Sequence, residues 1–156
     1  MRSTKKRARR TARKGVVVAV AVIGVMLGAC DDDPTNPDPA NAWEATLAGQ
    51  GTHEDVTGEA AVLSNSVAFA AEIAIEDAPV DAVFEWAVVE GTCAERGDVV
   101  GAASAYPDLE VAANGTATAE ADDDVSLDVD EDYAVVVTDE SGAASVLVAC
   151  GGLERI

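Results

Sequence analysis

The chain has 156 residues, room for one domain with accessory segments, and it is acidic, with a formal net charge of −19. Eight of its ten basic residues fall within positions 1–14 and all 29 acids lie beyond position 30. Everything after that point sets two arginines against 29 carboxylates, a net of −27, and a field of that sign excludes nucleic acid and bare anionic surfaces as binding partners.

The chain opens with basic MRSTKKRARRTARK and continues into apolar GVVVAVAVIGVMLGA. About fifteen apolar residues are too few for a comfortable membrane span. A charged start, an apolar middle and small residues at the end predict a secretory signal over residues 1–29. It closes on LGAC, residues 27–30, which resembles a bacterial lipobox. That resemblance implies a lipid on Cys30 and cleavage that leaves Cys30 first. The expected location is the cell envelope, membrane-anchored on the extracytoplasmic side. One acyl chain binds marginally at about 0.8 kcal/mol per buried methylene, whereas the several chains of a lipoprotein hold firmly. Arg9 and Arg10 lack the apolar pair that a twin-arginine signal needs next. From Cys30 to residue 42 the chain is acidic and proline-rich without apolar periodicity, and it reads as a solvated tether.

From Trp43 the pattern is β, and residues 43–156 are read as one domain. Strands are predicted at WEATLAG (43–49), EAAVLS (59–64), SVAFAAEIAIE (66–76), VFEWAVVE (83–90), TATAEA (116–121), VSLDV (125–129), YAVVVT (133–138) and ASVLVA (144–149). In the third, Val67, Phe69, Ala71, Ile73 and Ile75 share one face. Breaks fall at DAPVD, AERGD, AANGT and DESGA, and Asn114-Gly115 predicts a tight turn. Many short strands and no amphipathic helix predict an all-β antiparallel sandwich or barrel.

His53, in GTHED, is the one histidine. A single imidazole beside Glu54 and Asp55 builds no metal cluster, and no nucleophile elbow accompanies it, so an exposed loop position is expected. Ser64, Ser66 and Thr138 likewise lack partners for a triad. Beyond Cys30 the remaining cysteines are Cys93 and Cys150, and an exported context favours a disulfide over a metal or redox pair. ADDDVSLDVDED offers Asp122, Asp123, Asp124, Asp128, Asp130 and Asp132 as calcium ligands, with Asp128 and Asp130 on one face of a predicted strand. The glycine turn and distal glutamate of an EF-hand are missing, and a solvated, repulsive surface is the plainer reading.

WAVVEGTC (86–93), YPDLEVAANGTATA (106–119), YAVVVT (133–138) and ACGGL (149–153) together resemble the copper/zinc superoxide dismutase family over residues 43–153. The resemblance implies a Greek-key β-barrel and supports a Cys93–Cys150 bridge. It also implies where metal ligands would lie. Two copper-binding histidines fall at Ala87 and Val89, a later one at Thr138, and the channel arginine at Leu147. The segment after Cys93, where a bridging histidine belongs, contains none. Copper redox chemistry needs several imidazoles, so no cofactor is expected and a metal is an unlikely partner. The vacated positions predict an apolar patch around Ala87 and Val89 that a loop or a protein partner covers. The functional expectation is a non-catalytic, lipid-anchored envelope domain with binding or structural roles. The alternatives are an acidic calcium-binding module and a residual metal-dependent dismutase with unusual ligands.

Overall fold

The computed structural model describes residues 41–156; the predicted signal, Cys30 and most of the tether lie outside the described residues. Ten strands follow in chain order: β1 (Asn41–Gly49), β2 (Thr57–Ser64), β3 (Phe69–Glu76), β4 (Val83–Gly91), β5 (Arg96–Val99), β6 (Leu109–Glu110), β7 (Ala117–Asp123), β8 (Tyr133–Asp139), β9 (Val146–Gly152) and β10 (Glu154–Arg155). Two short 3₁₀ turns, Gly51–His53 and Ala103–Ala105, are the only helical pieces among the described residues. All strand pairs are antiparallel and form one sheet in the order β5-β4-β8-β9-β1-β2-β3-β7, with β10 on β1 and β6 on β4. The sheet curls into a half-barrel, the all-β architecture expected. β1, β2 and β3 are joined by hairpins, whereas β3 to β4 and β7 to β8 cross to distant neighbours in the Greek-key manner.

Strict alternation builds the wall. β3 turns Phe69, Ala71, Ile73 and Ile75 into the core and leaves Ala70, Glu72 and Glu76 outside. Trp43 and Leu47 of β1, Val62 of β2 and Trp86 and Val88 of β4 meet them inside. β8 differs: Tyr133 through Val137 are all buried, as befits a central strand covered on both faces. Between Val137 and Thr138 the pairing with β9 shifts by one residue, a bulge that accommodates Val148. Val148 and Ala149 both enter the core as a result, and Leu147 comes opposite Thr138 on the outer face.

Several boundaries depart from the sequence reading. β1 starts at Asn41, inside the predicted tether, because Asn41 and Ala42 pair with Ser64 and Leu63. β3 starts at Phe69, and Val67 is not on its buried face. Asn65 Oδ1 accepts the N–H groups of Val67 and Ala68, which turns the chain before the strand begins. VSLDV is not a strand. There the Ser64 hydroxyl accepts the Leu127 N–H at 3.0 Å and the Tyr133 hydroxyl oxygen accepts the Asp128 N–H at 2.9 Å, so side chains take the bonds a neighbouring strand would have taken. Conversely, β5 forms within the predicted break AERGD. Gly91, at φ 84°, lets the chain fold back over Glu95 where a Cβ would collide with its carbonyl. The Asn114-Gly115 turn is present, with Gly115 at φ 81° and its N–H bonded to Ala112 O at 2.9 Å. It joins β6, which pairs with β4, to β7, which pairs with β3, so it is a crossover and not a hairpin.

β5 and β7 end the sheet and do not pair with each other. The segment between them packs Tyr106, Leu109 and Val111 into the core. Trp86 Nε1–H donates to Pro107 O at 2.8 Å, the Tyr106 hydroxyl donates to Val100 O at 2.7 Å, and the Ala102 N–H donates to Asp123 Oδ2 at 2.6 Å.

Candidate functional site

The face of interest is the outer side of β4. Because Trp86 and Val88 point inward, Glu85, Ala87 and Val89 point out, opposite Thr138, Val136 and Ala134 of β8. β9 continues the face with Leu147 opposite Thr138 and Cys150 opposite Val136. The structure therefore brings Ala87, Val89, Thr138 and Leu147 to one surface of three adjacent strands.

This surface is closed over Val89 and half-open at Ala87, Thr138 and Leu147. Val89, Ala134, Val136 and Cys150 form a second small core outside the main one, with Ala87, Cys93 and Leu147 packed against it. Val89 is only 5% exposed; of the two covers expected there, a loop or a protein partner, the chain supplies a loop itself. The cover is held by the Cys93–Cys150 disulfide, which spans a Cα–Cα distance of 5.9 Å and 57 residues of sequence. Constraining a loop of that length in the unfolded chain contributes about 4 kcal/mol in the chain-entropy account. Val99 of β5, opposite Val89, is 42% exposed and carries the apolar face out to solvent.

These residues do not fit copper or zinc. Alkyl groups at Ala87, Val89 and Leu147 offer no lone pair, and the Thr138 hydroxyl is a poor substitute for imidazole. Among the described residues, no three His, Cys, Asp or Glu side chains converge as a metal site.

His53 lies elsewhere, in the 3₁₀ turn after β1, and it is half-buried and not the exposed loop residue expected. Its ring meets Phe84 edge-on at 6.1 Å. Gly49 permits this turn, since a Cβ there would collide with the His53 carbonyl. The Asp139 carboxyl is held below its ordinary range by hydrogen bonds from Ser141, with a smaller effect of the His53 charge.

The calcium candidates do not converge either. Asp128 and Asp130 share no strand face, because residues 125–130 form a loop, and Asp128 Oδ1 accepts the Asp130 N–H at 3.0 Å. Asp122 and Asp123 lie on β7, whose successive side chains point to opposite faces. The two Asp123 oxygens accept from Ala102 and Asp124 at 2.6 and 2.7 Å. Asp124 and Asp132 are exposed on the same loop. Asp123 and Asp128 organise the backbone beside them.

The sequence presented Ser64 only as a hydroxyl without triad partners and Tyr106 only within a motif; Ser64 is the only buried polar residue among those described, and the Tyr106 ring sits edge-on to Trp86 at 5.1 Å and stacks on Phe69 at 6.2 Å. The available signals were a serine at an inward position of β2 and a tyrosine before proline. No protein-family model matches this chain, and no curated protein matches it as a relative.

Proposed function

We propose that this protein is a lipid-anchored domain of the bacterial cell envelope, held on the extracytoplasmic side through Cys30. Its dismutase-like barrel is non-catalytic and serves a binding or structural role. One observation carries the reading: the alkyl side chains of Ala87 and Val89, packed in a small apolar cluster beside the Cys93–Cys150 disulfide, stand where the family would place copper ligands. Substituting an imidazole by a small apolar group at the buried Val89 position avoids leaving an unpaired polar ring there, which would cost roughly 1–3 kcal/mol. The basic leader, the LGAC motif and the proline-rich acidic segment support the anchor and the location. The test is superoxide turnover by the disulfide-bonded protein after loading with copper and zinc. The reading expects a rate no faster than the metals held by a carboxylate chelator; turnover faster than that control would sink it.

A further inference from the structure

We propose that the end of the barrel at which the chain enters from Cys30 rests against the bilayer, its exposed aliphatic side chains lying among zwitterionic headgroups. This rests on the lipid-anchored reading above. Register places the side chains concerned. Leu63 pairs with Ala42 of β1, and Val67 sits in the turn from β2 to β3. Val125 follows the end of β7, where Asp123 pairs with Phe69. Val129 lies between Leu127, tied to the Ser64 hydroxyl, and Tyr133. The Ile156 N–H donates to Ala42 O. Leu63, Val67, Val125, Val129 and Ile156 are 48, 58, 38, 41 and 74% exposed.

Exposure alone does not choose this end, because Val80, Val83 and Val146 are exposed at the other. The length of the connection does. Ten residues separate Cys30 from Asn41, a reach of about 33–36 Å when fully extended. The nine residues of β1 run roughly 30 Å along the barrel. Bringing the far end to the bilayer would take nearly the whole reach of the tether and most of its conformational freedom. Bringing the near end there needs almost none. Charge then selects the lipid. Exposed Asp124, Asp128 and Asp130 alternate with the aliphatic residues of the same loop, and anionic headgroups repel them.

The test uses the full chain, expressed in a bacterial host that processes it and then placed in phosphatidylcholine vesicles. Intact mass reads the acyl chains on Cys30, and hydrogen exchange reads contact. The proposal expects amides of 63–68 and 124–130 to exchange roughly tenfold more slowly than in an equally acylated chain carrying Val67→Glu and Val125→Glu. Amides of 71–75 should be unchanged between the two, which shows that both are folded. Absence of acyl chains on Cys30 would remove the anchor and this proposal with it. Acylated chains with equal exchange rates would overturn the proposal alone and leave the anchor standing.

Discussion

Tyr106 shows how much one side chain can settle. Its ring fills the gap between the unpaired ends of the sheet, and its hydroxyl donates to Val100 O. Burial, reinforced by the Asp123 charge, pushes its pKa up to about 12. The folded state therefore holds the proton more tightly than the unfolded chain, so this contribution is complete below pH 10 and is lost as the pH rises through 12. Thermal melts between pH 9 and 12 should show a stability loss from pH 10 upward that Tyr106→Phe reduces. An identical alkaline profile for the variant would mean the hydroxyl is not the titrating group. The sequence displayed Tyr106 only as part of a motif, because its role depends on Phe69 and Trp86, which topology delivers. Ala87 and Val89 were legible as outward residues, since a period of two needs no tertiary information. Which cover lies over Val89, a loop or a partner, was not legible, because the loop that supplies it is tied to Cys150 on a different strand.

Among the elements, the long alternating strands could be read directly and the exceptions could not. VSLDV carries a strand pattern, yet Ser64 and Tyr133 take up its backbone N–H groups. β5 has a single β-forming residue, Val99, and exists because Gly91 turns the chain back beside β4. The first outcome is set by a serine remote in sequence, and the shared strand face expected for Asp128 and Asp130 went with it. The buried bond from Leu127 to Ser64 joins the 124–129 loop to the end of β2. Ser64→Ala would leave that N–H unpaired and should cost about 1–3 kcal/mol in denaturant unfolding. The same variant should speed amide exchange at Leu127; a loss below 0.5 kcal/mol with unchanged exchange would deny the serine this role.

At the scale of the whole molecule, residues 41–156 carry 25 acids against Arg96 and Arg155, a net of −23. Self-repulsion of that size opposes compaction and weakens as salt shortens the screening length from about 10 Å at 0.1 M to 3 Å at 1 M. The melting temperature should therefore rise by several degrees over that range in sodium chloride, and a flat or falling profile would show that repulsion is not limiting. The barrel holds against this field through its apolar core, the segment bridging β5 and β7, and the disulfide. The same disulfide pins a loop against the outer face of β4, where the residues present do not fit copper. The most direct measurement is copper retention by the disulfide-bonded chain, read by native mass spectrometry after exchange against a chelator that strips ions from surface carboxylates. No retained copper is expected. One copper per chain surviving the chelator would contradict this reading.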